Sequence, residues 1–202
     1  MSMSLSRYQS RRRLVLAVSI AIALAALLTV RSAWADEGHE SIEAIGLGLI
    51  CLGILGRMWC TLYIGGRKSK ELVDRGPYSM TRNPLYVFSS VAAAGVGAQT
   101  GSLVVALLGA LASVVAFTIV ARREEAHLVA VFGAPYRDYL ARVPRFWPDV
   151  RLYRDSEHLD VSTGRLYRTL GDGLVFLLAI PILEGIESLQ IAEHLPSIIR
   201  LY

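Results

Sequence analysis

Residues 74–88 read DRGPYSMTRNPLYVF, a charged loop that runs directly into an apolar helix. Gly76-Pro77 is a turn signal, and Pro84 suits the first turn of a helix, where its missing N–H costs nothing and its fixed φ favours entry. Asn83 then falls at or near the N-cap. The free N–H groups and positive dipole end of that helix face back into the loop, where a carboxylate or phosphate would be stabilised. Arg82 adds a forked donor for the same kind of group. A second reading stays open at this point: a capped membrane helix with a snorkelling arginine and interfacial tyrosines.

Outward from this loop the chain is too apolar for an ordinary soluble domain. Of its 202 residues 53% are hydrophobic, the mean hydropathy is +0.45, and the apolar residues come in long blocks. These are Leu14 to Val30, Ile42 to Ile64, Leu85 to Ala98 and Leu103 to Ala121, with a weaker fifth from Leu174 to about Ala192. The expected fold is therefore all-α, a polytopic membrane helix bundle with four to five transmembrane helices. Arg11, Arg12 and Arg13 precede the first block, and Ala33-Trp34-Ala35 follows it, a pattern shared with cleaved signal peptides. Its 17-residue apolar run exceeds the ~7–15 residues of a signal core, which favours a retained helix.

Residues 1–13, 65–84 and 122–169 carry four, five and nine of the 21 Lys+Arg. Basic connections stay inside, so the N-terminus, the 74–88 loop and the segment after Ala121 are expected on the cytoplasmic face of a bacterial inner membrane. The basic pI then reflects topology and anionic lipid, with no need of nucleic acid. Cys51 and Cys60 fall on opposite sides of one helix, cannot bridge each other and form no metal motif. Ala44, Gly48, Gly53 and Gly56 in the second block, with Gly109 and Ser113 in the fourth, read as close helix packing. Arg57 lies inside the second block, where an isolated arginine costs about 2.5–3.5 kcal/mol. It either faces the bundle or snorkels to the inner interface.

The fourth block ends in Arg122-Arg123-Glu124-Glu125, and the helical pattern continues through His127, Leu128, Val131 and Phe132 to Gly133. Those charges are either a solvated end with an Arg122–Glu125 pair or two adjacent carboxylates that bind a cationic ligand. Tyr136 and Tyr139 then lie on one side of a short helix, Arg142 follows one turn later, and Pro144 stops it. Phe146-Trp147-Pro148 reads as an interfacial anchor. His127 is a candidate base, although a histidine on an amphipathic helix is more often structural.

The order LVDRGPYSMTRNPLY, an apolar hairpin, then RREEAHLVAVFGAPYRDYLARVPRFWP resembles the isoprenylcysteine carboxyl methyltransferase and phospholipid methyltransferase superfamily. The resemblance rests on Arg82-Asn83-Pro84-Leu85-Tyr86, then Glu124-Glu125, then Phe132-Gly133 with Tyr136 and Tyr139, and it covers roughly residues 57 to 148. It implies a membrane-embedded methyltransferase that holds S-adenosylmethionine in a cytoplasmic-face pocket. Arg82, Asn83, Pro84 and Tyr86 would line that pocket on one side and Glu124 and Glu125 on the other, with Tyr136 beside the cofactor. Tyr139, Arg142 and Glu125 would stand nearest the reacting groups. The isoprenylcysteine branch usually has histidine at Asn83, and relatives commonly have glycine at Phe88, where a phenylalanine would crowd a pocket approached by backbone.

This reading divides the chain into an N-terminal helix and external loop (1–41), a methyltransferase core (42–148) and a divergent C-terminal extension (149–202). Gly95 to Gly101, GVGAQTG, has the wrong spacing for a dinucleotide loop and reads as the turn between the third and fourth helices. The Leu174 to Leu183 core is short for a span, and extending it takes in Glu184 and Glu187, so it is a fifth span or an interfacial helix. The expected activity moves a methyl group to a lipophilic acceptor drawn from the membrane, either an isoprenylcysteine-like carboxylate or a phospholipid amine. The alternative is a catalytically silent subunit of the same fold. A transporter is disfavoured because the charges gather at one face and avoid the midplane.

Overall fold

A computed structural model describes residues 28–34, 36–67, 71–196 and 198–202. The expected N-terminal helix and its cleavage-like site lie outside the described residues, except for Leu28 to Val30 and Ala33-Trp34. The architecture among the described residues is all-α. Helix α1 (Asp36–Ile64), a one-turn α2 (Pro77–Met80), α3 (Pro84–Ala98), α4 (Leu103–Phe132) and α5 (Ala134–Arg142) are followed by α6 (Thr163–Leu174) and α7 (Ala179–Ile191). A 3-10 turn over Val175–Leu178 joins α6 to α7. Among the described residues, three helical stretches are long and apolar enough to cross a membrane: Glu37–Ile64, Leu103–Phe132 and Thr163–Ile191. The chain is an integral membrane protein. The third stretch settles the fifth apolar block as long enough for a span, because the amphipathic α6 lengthens its short apolar core.

The arrangement follows from small residues that let backbones approach. A Cβ added at Gly53 would sit 2.6 Å from Ala92 Cβ and 2.8 Å from Phe88 O, and one at Gly56 would fall inside the Phe88 ring. Gly95 faces the Gly46 carbonyl on α1, while Gly97 faces Val105 and Ala106 on α4. Helix α3 is thus held at backbone distance on both sides. The glycines of GVGAQTG accordingly divide: Gly95 and Gly97 are helix-packing residues, and Gly101, with φ 64, makes the turn. Two other small residues were misplaced by pattern. Gly48 has nothing within 4 Å of an added Cβ, and Ala44 is exposed, while Gly46, not singled out, makes the contact. Arg57 faces the bundle: its guanidinium donates to Ser89 Oγ and lies 5.9 Å from the Phe176 ring centroid.

One feature has no trace in helical periodicity. Val30–Ser32 (β1) pairs in parallel with Ile199–Leu201 (β2). The pair clasps the α3–α4 turn: Ser32 Oγ donates to Gly101 O at 2.8 Å, and the Val104 amide and Ser102 Oγ donate to Tyr202 O.

The unequal lengths of α3 and α4 place the site. At about 1.5 Å per residue, the 15 residues of α3 cover ~22 Å and the 30 residues of α4 ~45 Å. Starting from a shared turn, α4 overshoots α3 by several turns. Tyr86, near the start of α3, stacks on Phe117 in mid-α4 at 4.7 Å, so Glu124 and Glu125 stand beyond the end of α3 and wall a recess. Two substitutions test the packing by thermal melting in detergent. Gly53→Val should destabilise the bundle by about 1–3 kcal/mol through overpacking, whereas Gly48→Ala, facing open space, should cost nothing.

Candidate functional site

The loop before α3 is stitched to residues 144–154 mainly through the backbone. Gly76 adopts φ 56, and a Cβ there would fall 2.3 Å from the Tyr63 ring, so this entry to α2 requires glycine. The Gly76 amide donates to Arg154 O, the Arg82 amide to Pro144 O and the Asp149 amide to Met80 O. Thr81 Oγ1 donates to Arg145 O at 3.1 Å. Asn83 is the residue before α3, as its place next to Pro84 implied, but its side chain makes no cap bond. Its amide instead donates to Arg145 O at 3.1 Å and to Glu125 Oε1 at 3.3 Å.

Glu125 is the centre of the arrangement. Its carboxylate is buried and takes a forked donation from Arg145, Nε to Oε1 at 3.1 Å and Nη2 to Oε2 at 2.9 Å. Arg82 Nη1 stands 3.4 Å from Oε2. A buried carboxylate survives only when paired and hydrogen-bonded, and here both oxygens are engaged. Glu125 is therefore a clamp for two arginines, which removes the Arg122–Glu125 pair; Arg122 and Arg123 are exposed. Glu124 points to the other helix and accepts from Tyr86 Oη at 2.9 Å.

These groups line a cavity of about 170 Å³. Arg82, Asn83, Tyr86, Glu124, Glu125, Tyr136 and Tyr139 all reach it, with Tyr78 and the apolar Leu72, Leu128 and Phe132. Beside it runs an apolar groove of about 440 Å³ between α3 and α4, lined by Val87, Val91, Val114, Phe146 and Trp147 and, at one end, Arg145. The side chain of Arg145 thus borders the groove while its guanidinium holds the cup carboxylate. Two buried polar atoms of the cup, Arg82 Nε and Tyr78 Oη, have no partner among the described residues.

The profile of the phospholipid methyltransferase family matches residues 42–135. The nickel-cobalt-cadmium resistance protein NccN of Alcaligenes xylosoxydans xylosoxydans is 36% identical over 199 residues, 98% of this chain and 93% of its own. The cobalt-zinc-cadmium resistance protein CzcN of Cupriavidus metallidurans is 34% identical over 204 residues, 100% of this chain and 94% of its own. This chain belongs to the phospholipid methyltransferase family. It lies within the isoprenylcysteine and phospholipid methyltransferase superfamily. No solved structure matches it.

In this phospholipid methyltransferase family member the remaining site residues fall as follows. Pro84 is fully buried and does not line the cavity. Arg142 does not reach the cup: 48% exposed, it turns to Asp74 at 3.6 Å. Tyr139 Oη donates to Tyr78 O at 2.8 Å, so its hydroxyl is committed to the loop and only its ring faces the cavity. His127 is exposed. Phe88 does not crowd the pocket, because Gly56 opens a seat for its ring on α1 beside Trp59. Arg145 was missed. It sits in VPRFWP, where prolines and aromatics suggested only an anchor, and the one signal was a lone cation in an otherwise uncharged run. Tyr78 is one of the two tyrosines that mark the quoted loop, but no individual role followed from its position.

Burial, then the nearby charge of Glu125, pushes the Tyr136 hydroxyl up to about 12, and burial raises Tyr78 and Tyr139 further. All three are neutral donors at physiological pH. A group whose folded pKa is raised contributes stability that is complete below its unfolded pKa, about 10 for tyrosine, and is lost as pH rises through the folded value. The melting midpoint should hold to about pH 9.5 and fall above pH 10, and Tyr136→Phe should flatten that fall. Glu125→Ala leaves two arginines without their carboxylate and should cost about 3–5 kcal/mol, read by thermal melting in detergent. Arg142→Ala breaks an exposed pair and should cost under about 1 kcal/mol.

Proposed function

We propose that the chain is an S-adenosylmethionine-dependent methyltransferase that acts on a lipophilic acceptor at the cytoplasmic face of a bacterial inner membrane. The observation that carries this reading is the pair of orphaned polar atoms in the cup wall, Arg82 Nε and Tyr78 Oη. An unmade buried hydrogen bond costs about 1–3 kcal/mol, which a ligand with acceptor atoms there would recover. The donor set fits the cofactor. The Arg82 N–H and Tyr78 hydroxyl suit its carboxylate, Glu124 suits its cationic portion, and Leu72, Leu128 and Phe132 offer apolar surface to its base. The enclosed 170 Å³ is below the ~300–1,000 Å³ of small-molecule sites, so the bound cofactor would extend through the open mouth of the cup.

When bound, the cofactor supplies a methyl group activated on a sulfonium. The chain supplies position and dryness. Glu125 fixes the orientation of Arg82 and Arg145, and the rings of Tyr136 and Tyr139 shield the cup from water, which strengthens the local electrostatics. The apolar groove offers the acceptor a seat reached from the bilayer, and Arg145 at its end favours an acidic head group over an amine. The curated relatives are named for metal resistance, and we place this methyltransferase in the same physiological setting.

Two measurements test the reading. Purified protein in detergent should bind S-adenosylhomocysteine with micromolar affinity by calorimetry, and Glu124→Gln should weaken binding about tenfold, or ~1.4 kcal/mol. Labelled methyl from S-adenosylmethionine should pass to an acidic lipophile in a membrane extract. Label on a phospholipid amine would move the assignment to the other branch, and absence of binding would leave the silent-subunit reading.

A further inference from the structure

A second cluster of chemically capable side chains lies at the opposite end of the bundle. From Ile64, at the rim of the cup, to His39 is roughly 37 Å along α1 at ~1.5 Å per residue, enough to cross the ~30 Å of a bilayer core. His39 and Glu43 stand one turn apart on the same face of α1, and Glu187 arrives from α7. Both carboxylates converge on one atom: Glu43 Oε1 is 3.1 Å from His39 Nε2, and Glu187 Oε2 is 3.3 Å from it. That nitrogen carries one proton or one lone pair. It can satisfy one of the two carboxylates in line, and the other is left facing it.

We propose that His39, Glu43 and Glu187 form a binding site for a divalent transition-metal ion of the Zn²⁺, Co²⁺ or Ni²⁺ class. Their ligand atoms all lie within 4.8 Å of one another. Donors held ~2.0–2.2 Å from such an ion in a tetrahedral set stand roughly 3.3–3.6 Å apart, and Nε2, at 3.1 and 3.3 Å from the two carboxylates, needs to give only a few tenths of an ångström to reach that spacing. The trio is net negative even with the imidazole protonated, and a divalent ion neutralises it. One imidazole with two carboxylates suits these metals, whereas Mg²⁺ prefers oxygen ligands and keeps its waters.

The surroundings fit a reachable but recessed site. The three side chains are 15%, 26% and 34% exposed, and His39 and Glu187 line a cavity of about 300 Å³ that would supply water to the open coordination positions. The imidazole has a reserved place, since a Cβ on Gly101 would fall 2.0 Å from His39 Nδ1. Arg31 and Arg200, side by side across the strand pair, line the same cavity. Their charge opposes indiscriminate attraction of cations, so affinity must come from coordination by the trio. The site stands apart from the methyl-transfer reading and survives its failure.

The test uses full-length, tag-free protein in detergent, stripped with chelator and titrated with ZnCl₂ by calorimetry, with CoCl₂ absorption as a report on the ligands. Wild type should bind one Zn²⁺ per chain, which displaces bound Co²⁺ with loss of its absorption and is indifferent to excess Mg²⁺. Glu187→Gln and His39→Gln should each weaken binding at least tenfold. Glu40→Gln, which alters a cavity carboxylate outside the trio, should change it less than twofold. Zn²⁺ should raise the melting temperature of wild type and leave that of Glu187→Gln unchanged, while that variant keeps the wild-type melt without metal, which separates lost ligation from lost folding. No binding by wild type, or equal binding by wild type and both trio variants, overturns the proposal.

Discussion

One end of the helix bundle depends on one buried carboxylate. Glu125 on α4 is held by Arg82 from the loop before α3 and by Arg145 from the loop after α5, with the Asn83 amide as a further donor. Three segments remote in sequence meet on two oxygens. Desolvating any one of these charges alone would cost several kcal/mol, so each holds the others in place, and the trio fixes the shape of the cup. The neighbouring Glu124 is left to the Tyr86 side of the cavity. Two adjacent glutamates therefore differ in their partners: one clamps two arginines, and the other meets the Tyr86 hydroxyl.

That carboxylate is usable because of helix length and backbone proximity. Gly46, Gly53 and Gly56 draw α1 against α3, and Gly97 and Gly109 draw α4 against its other side. With α3 short and anchored at the α3–α4 turn, α4 must run past it. The overhang puts charged residues beyond the apolar zone yet beside the loop that opens α3. A cavity with polar walls then borders a groove with apolar ones, and the Glu125–Arg145 pair stands between them.

Much of this could be read from residue order. The helical blocks, the entry to α3 at Pro84 and the end of α4 at Gly133 are local signals, carried by hydrophobic runs, proline and a left-handed glycine. The juxtaposition of Arg82, Asn83 and Tyr86 with the twin glutamates came from resemblance, and the cavity brings them together. What was not legible depends on distant partners. Arg145 and Arg142 look alike in sequence, and only the path of the chain after Pro144 turns one toward Glu125 while the other goes to Asp74. Gly46 and Gly48 are likewise indistinguishable until the helix is rotated against its neighbour. The strand pair and the His39–Glu187 approach join the two ends of the chain, which no periodicity encodes.

The seam between the pre-α3 loop and residues 144–154 is made largely of main-chain amides and carbonyls. Carbonyl oxygens are the same on every amino acid, so this junction places little demand on which side chains follow Pro144, apart from Arg145. Mutational drift can rewrite that stretch while its path is kept.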